Sequence, residues 1–142
     1  MADEARNVGI LKHAYKRWQD TLGNSADEWL DICADQIAFG SIAQGPQGAE
    51  YLTEYRSKAA LQDYFAGLER DWQMIEFAAE HFVAQGDRVV MLGRCAWRYK
   101  KTGKVVWTQK ADSWRLSRPF LAGPHSTFPA WSLIQNGLLR TQ

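Results

Sequence analysis

Lys110, Asp112 and Trp114 alternate along a segment of strand-like composition, which puts all three on one face at the two-residue period of a strand. A cation beside a carboxyl favours its ionised form, whereas burial favours the neutral one. Two chemistries are therefore open to Asp112: a protonated acid that donates a hydrogen bond, or a carboxylate base held by Lys110. A structural ion pair at the wall of a pocket fits the same pattern. Near the other end of the chain, Tyr15 belongs to an apolar stripe with Val8, Leu11, Trp18 and Leu22 at helical spacing. A phenol there can donate to an oxygen, or it can be a core ring with a satisfied hydroxyl. His81 alternates with Ile75, Phe77, Ala79 and Val83. It is a candidate general base, although no carboxylate that would orient it is evident in the sequence. Glu76 and Glu80 share a strand face that can be solvent-facing.

The bulk properties limit the function classes. A chain of 142 residues is one domain by size and needs no disulfide or metal to fold. Its net charge of +1 gives no field to gather nucleic acid or a membrane surface. Cys33 and Cys95 form no CxxC pair and have no histidine close by in sequence, which argues against zinc and against a secreted disulfide scaffold. No nucleotide or metalloprotease motif is present, so no cofactor is expected. Met1 to Asn7 is charged and lacks an apolar run, so a cytoplasmic location is expected. The seven Trp, five Tyr and six Phe supply enough ring surface to line an apolar ligand pocket or to fill a core.

The elements that must hold these residues follow from periodicity. The first helix ends at Gly23-Asn24. Ser25 to Glu28 reads as a capping box ahead of a short second helix with Trp29, Leu30, Ile32 and Cys33 apolar. Ile37, Phe39 and Ser41 mark a short strand, and residues 43–56 a loop. Ser57 caps a third helix whose stripe is Leu61, Tyr64, Phe65, Leu68 and Trp72. The period then changes to two. Strands are expected over Met74 to Ala84, Arg88 to Tyr99 and Lys104 to Leu116, with turns at Gly86-Asp87 and Lys101-Thr102-Gly103. On the middle strand Val89, Met91, Gly93, Cys95, Trp97 and Tyr99 share one face. The order predicts an α+β fold with helices on one side of a curved antiparallel sheet. Residues 117–142 break the pattern. They hold Pro119, Pro124 and Pro129 and no Asp, Glu or Lys, and apart from a possible short run at 130–134 no strand is expected there.

Several motifs in this order resemble the nuclear-transport-factor-2-like superfamily. They are Tyr15-x-x-Trp18, Cys33-Ala34-Asp35 and Tyr64-Phe65-Ala66-Gly67-Leu68. Gly86-Asp87-Arg88-Val89-Val90, and Thr102-Gly103-Lys104 followed by Asp112-Ser113-Trp114-Arg115-Leu116, complete the set. The resemblance covers about residues 5–116 and is greatest to small SnoaL-like proteins. It implies a single SnoaL-like domain over residues 1–116, cone-shaped around an apolar pocket. The tail at 117–142 would replace the usual last strand. The superfamily includes ketosteroid isomerase, SnoaL-type polyketide cyclases, limonene epoxide hydrolase and scytalone dehydratase, so the fold alone does not choose a chemistry.

Carried over residue by residue, the oxyanion-hole tyrosine of ketosteroid isomerase falls on Tyr15. Its aspartic acid that an apolar site keeps protonated falls on Asp112. Its catalytic base falls on Ser41, which cannot be a base, so that steroid reaction is not expected. The resemblance thus implies Tyr15 and Asp112 as the pair that polarises an oxygen. Trp18, Phe39, Ser41, Tyr64, Phe65, Cys95, Trp97, Tyr99, Lys110 and Trp114 would line the pocket. The expected activity is a cofactor-free isomerase, cyclase or lyase acting on a small hydrophobic carbonyl or enol compound. The alternative is a non-catalytic ligand-binding or interaction module of the same fold. A homodimer through the outer sheet face is expected by the same resemblance, with Arg94, Arg98 and Arg115 needing partners or water there.

Overall fold

The structure is a computed structural model that describes residues 4–33, 38–41, 57–116 and 132–141. Three helices and five strands appear among these residues. They are α1 (Glu4–Asp20), α2 (Ala26–Ile32), β1 (Ala38–Ser41), α3 (Lys58–Asp71), β2 (Trp72–Gln85), β3 (Arg88–Tyr99), β4 (Val105–Arg115) and β5 (Ser132–Thr141). The strands form one sheet in the order β1-β5-β4-β3-β2. Neighbours are antiparallel except β1 and β5, which run parallel. The architecture is the expected α+β one, with three helices against a curved antiparallel sheet.

Local chemistry explains most element boundaries. The Ser57 hydroxyl accepts the Ala60 amide at 3.0 Å, so α3 has the N-cap its sequence predicts. The expected capping box at α2 does not form. The Ser25 hydroxyl is buried without a hydrogen-bond partner among the described residues, and the Glu28 carboxylate turns to Arg17 at 3.0 Å instead. Both Glu28 oxygens accept from the Arg17 Nε–H, and such a charge-assisted contact competes well with a single backbone amide. Helix α1 ends two residues short of the apolar stripe. Leu22 adopts φ 50° and is 57% exposed, because the turn into Gly23 (φ 82°) carries it away from the core.

Strand β2 departs most from simple alternation. Its pairing with β3 shifts register between Met74 and Glu76 and again between Ala79 and His81. Each such bulge adds one unpaired residue and flips the faces of everything after it. Met74, Phe77, Ala79, Phe82 and Ala84 consequently face the core, a spacing no strict period of two would produce. His81 is exposed, and Val83 is 58% exposed. The expectation that His81 shares a face with Phe77 and Ala79 is therefore corrected. Bulging also brings the Ala78 carbonyl oxygen to within 2.1 Å of where a Cβ on Gly93 would stand, so position 93 accepts only glycine without a backbone shift.

The tail differs from expectation as well. Residues 132–141 form β5, which lies between β4 and β1 as a central strand. All three tail prolines precede Ser132, so none removes a ladder donor from the strand itself. Residues 117–131 and the loop 42–56 lie outside the described residues.

Helix α1 crosses the sheet over β2 and β3 and is tied at both ends. The Glu4 carboxylate accepts the Gly86 amide of the β2–β3 turn at 2.8 Å. The Gln19 side-chain carbonyl accepts the Ala79 amide, at the second bulge, also at 2.8 Å. These anchors, together with Leu11, Ala14, Tyr15 and Trp18 in the core, fix where the Tyr15 ring enters the sheet.

Candidate active site

On β4 the inward face carries Val106, Thr108, Lys110, Asp112 and Trp114, as their alternation requires. Asp112 pairs across the sheet with Met91 on β3 and with Gln135 on β5. Tyr15 descends from α1 onto this row. Its hydroxyl donates to Asp112 Oδ2 at 2.6 Å, and the Trp114 indole N–H donates to the same hydroxyl at 2.8 Å. An indole N–H is only a donor, so the phenol oxygen must accept from Trp114 and its single hydrogen is left for Asp112. The direction of the chain Trp114 to Tyr15 to Asp112 is thereby set by chemistry.

Lys110 stands beside this chain. Its Nζ lies 3.5 Å from Asp112 Oδ2 and 5.2 Å from the centre of the Phe77 ring. Its side chain is 12% exposed, and that of Asp112 only 2%. A close ammonium–carboxylate contact is nearer about 2.8 Å, so this pair is loose. Asp112 Oδ1 is buried and has no hydrogen-bond partner among the described residues. A buried carboxylate oxygen without a donor is costly, and it offers a hydrogen-bond acceptor to anything that enters.

The Tyr15 ring is enclosed by other rings. Trp29 meets it edge-on at 5.0 Å and Phe77 is stacked at 5.7 Å. Phe82 and Trp114 complete the enclosure at 5.9 and 6.4 Å. Trp29 also stacks on Trp114 at 5.2 Å with the planes 6° apart. Burial above all, and then the neighbouring Asp112 charge, push the Tyr15 phenol well above its ordinary pKa. It therefore remains a neutral donor at physiological pH and does not serve as a base. Burial also pushes the Cys33 thiol up to about 12 and raises that of Cys95, which marks both as protonated packing groups.

The structure brings Tyr15, Lys110, Asp112 and Trp114 together. Trp18 packs on Phe65 at 5.7 Å and on Trp97 at 6.4 Å, one ring layer away from Tyr15, and Tyr64 meets Phe65 at 5.3 Å. Cys95 is buried on the same inward face of β3. Tyr99 is not part of this group. It sits where β2 begins, its ring 5.0 Å from Trp72. The side chains of Phe39 and Ser41 lie outside what is described. In backbone register Ser41 pairs with Gln135, the same residue that pairs with Asp112. Ser41 and Asp112 therefore stand in one cross-sheet row, two strands or about 10 Å apart. Among the described residues, no group of three His, Cys, Asp or Glu is placed to hold a metal. No helix among them is long and apolar enough to cross a membrane.

Sequence reasoning did not place Trp29, Phe77 and Phe82 at this site. Trp29 was legible only as an apolar position on a short helix. Phe77 and Phe82 reach Tyr15 from one face although five residues apart, which a regular strand forbids and the second bulge makes possible.

Known proteins share this architecture. An NTF2-like protein from Burkholderia xenovorans LB400 superposes with a TM-score of 0.70 at 19% identity, covering 96% of this chain and 92% of that one. A Bacillus subtilis protein assigned provisionally as an isomerase gives 0.69 at 14% identity over 92% and 88% of the two chains. The epoxide hydrolase/cyclase-like enzyme SalBIII, which has a role in pyran ring formation in the polyether salinomycin, gives 0.65 at 14% identity over 96% and 95%. At these identities the likeness is one of fold. No curated protein matches the sequence. The model of the SnoaL-like domain matches residues 14–118, from the helix that carries Tyr15 to just past the strand that carries Asp112, and the chain belongs to that family.

Proposed function

We propose that the protein is a cofactor-free acid–base catalyst acting on a small hydrophobic carbonyl or enol compound, an isomerase, cyclase or lyase in reaction type. The observation that carries this reading is the buried Asp112 carboxylate, held at Oδ2 by Tyr15 while Oδ1 has no partner among the described residues. In this reading Asp112 takes and returns the proton. Tyr15 fixes the orientation of the carboxylate through its hydrogen bond to Oδ2. Trp114 fixes Tyr15. The surrounding rings lower the local dielectric and strengthen each of these interactions. Proteins of this fold named for isomerase and cyclase activity support the reaction class.

The test is deuterium exchange at the carbon next to the carbonyl in a panel of hydrophobic enones and ketones, followed by NMR. Exchange by wild type that falls at least about a hundredfold in Asp112→Asn supports a proton-transfer role, on the usual scale of general acid–base catalysis. Equal exchange by both proteins overturns it. A second reading, a binding module without turnover, is favoured by how completely rings enclose Tyr15. Ligand-induced thermal stabilisation with no exchange would select it.

The same family reading proposes a homodimer through the outer sheet face. Leu92 and Trp107, each 39% exposed, supply apolar contact there. Arg94 and Arg115 already have acidic partners in Glu76 and Asp87, while Arg98 donates to the neutral Gln73 side chain. Sedimentation equilibrium on wild type and Leu92→Glu tests this, and a monomeric wild type ends it.

A further inference from the structure

Strand β2 is the edge of the sheet, and its second bulge separates two readings of its own sequence. In the structure Glu80 is the extra residue, so Phe82 stands opposite Met91 and Ala84 opposite Val89, both facing the core. Without the extra residue the pairing would move by one. His81 would then oppose Met91, Val83 would oppose Val89, and the turn Gly86-Asp87 would lengthen to Gln85-Gly86-Asp87. Three-residue turns are common in hairpins. The apolar pattern does little to choose. The observed register leaves Val83 58% exposed, whereas the other would bury it and turn Phe82 outward. The choice is made at one peptide group. The Ala78 carbonyl oxygen occupies the place where a Cβ on Gly93 would stand, and the Ala79 N–H donates to the Gln19 side-chain carbonyl at 2.8 Å. The C=O and N–H of a trans peptide point in opposite directions, so Gly93 and Gln19 hold the two ends of one plane. Ala79 is the last paired residue before the bulge, so the orientation of this plane fixes where the extra residue begins. The contact is partly buried, where an unpaired N–H is costly. The tie from Glu4 to the Gly86 N–H, by contrast, is exposed to competing water.

We propose that Gln19 is a positioning residue: it sets the register of β2 and so decides that Phe82, and not His81, stands against Tyr15. Gln19 lies four residues after Tyr15, on the same side of α1. The helix that delivers the phenol thus also selects the ring that faces it at 5.9 Å. The choice matters chemically. Phe82 keeps the surroundings of Tyr15 apolar, whereas His81 in its place would bring a base that titrates near neutral pH. The consequence for turnover rests on the acid–base reading given above; the choice of register does not. The contact uses the acceptor oxygen of Gln19, so a glutamate, which keeps such an oxygen, should hold the peptide as well. Methionine is of similar length and has no oxygen to offer.

The experiment uses the full chain and the variants Gln19→Glu, Gln19→Met, His81→Phe and the double variant Gln19→Met/His81→Phe. Diethyl pyrocarbonate modifies accessible imidazoles, and His13, exposed on α1, serves as the internal standard. At neutral pH His81 should react about as fast as His13 in wild type and in Gln19→Glu. In Gln19→Met it should react at least about fivefold more slowly, because a one-residue slip turns it inward. Melting temperature is the second readout. His81→Phe should leave wild type nearly unchanged, since position 81 is exposed there. In the Gln19→Met background it should raise the melting temperature by about 4 °C or more, since the new ring is buried. If Gln19→Met alone does not melt cooperatively, the double variant should recover a cooperative transition. A folded Gln19→Met whose His81 reacts as in wild type overturns the proposal. So does an equal effect of His81→Phe in both backgrounds, or a double variant that recovers nothing. Deuterium exchange, where wild type shows it, should persist in Gln19→Glu and fall in Gln19→Met. A wild type without exchange ends the acid–base reading and leaves the register result standing.

Discussion

The two faces of the sheet hold their charged residues in opposite ways. On the outer face two arginines meet carboxylates in solvent: Arg94 reaches Glu76 at 3.3 Å and Glu80 at 4.0 Å, and Arg115 reaches Asp87 at 3.0 Å. Such pairs are screened and contribute little. On the inner face one carboxylate, one ammonium and one phenol are packed among aromatic rings, with the ion pair loose and one carboxylate oxygen without a partner among the described residues. The outer ion pairs form at small energetic consequence. Among the described residues the inner arrangement is incompletely paired, where incompleteness is expensive.

Mutations can break that contrast directly. The largest expected effect is Asp112→Ala, which strands the Lys110 ammonium and the Tyr15 hydroxyl in apolar surroundings and should cost about 3 kcal/mol in a urea titration. A loss below about 0.5 kcal/mol would place Asp112 in the same category as the surface pairs. Gly93→Ala comes next. Its Cβ would collide with the Ala78 carbonyl oxygen, and the backbone shift should cost about 2 kcal/mol while moving the β2 bulges that turn Phe77 and Phe82 inward. Near-UV circular dichroism should report the disturbed rings, and an unchanged spectrum would show that the bulges do not depend on this glycine.

Tyr15→Phe should follow at about 1.5 kcal/mol, since it removes the donor to Asp112 and the acceptor of the Trp114 indole while keeping the ring. The same variant tests pH dependence. The folded-state pKa of Tyr15 is raised, so the unfolded chain loses this proton first. The associated stability is therefore complete below about pH 10, the ordinary tyrosine value, and declines as pH rises through the folded value. Wild type should lose stability above that point more steeply than Tyr15→Phe, and parallel curves would contradict the burial of a protonated phenol. The smallest effect belongs to Arg94→Ala, expected within about 0.5 kcal/mol and smaller still in high salt.

How much of this was legible beforehand divides along physical lines. The amphipathic stripe of α1, the Ser57 cap, the glycine turns and the alternation of β3 and β4 were readable, because each depends on neighbours within a few residues. The alternation was enough to put Lys110, Asp112 and Trp114 on one face. It was not enough for β2, where two extra residues reset the period and exchanged His81 for Phe82 on the inner face. The capping box at Ser25 failed for a related reason, since Glu28 found a better partner in Arg17, eleven residues away. The final strand was missed because its residues 132–141 have no clear alternation of their own. Pairing on both edges, with β4 and β1, satisfies its backbone without such a pattern.

By itself, the sequence determined the helices, the hairpins, the α+β order and the two segments whose residues meet at the site. Those follow from local periodicity and turn chemistry. The tertiary structure alone decided that the Tyr15 hydrogen goes to Asp112, that Trp114 sets its direction, and that Asp112 Oδ1 has no partner among the described residues. Those are matters of ångströms between residues 97 or more apart in the chain for Tyr15 and its two partners. Only packing of α1 across a bulged sheet can specify them.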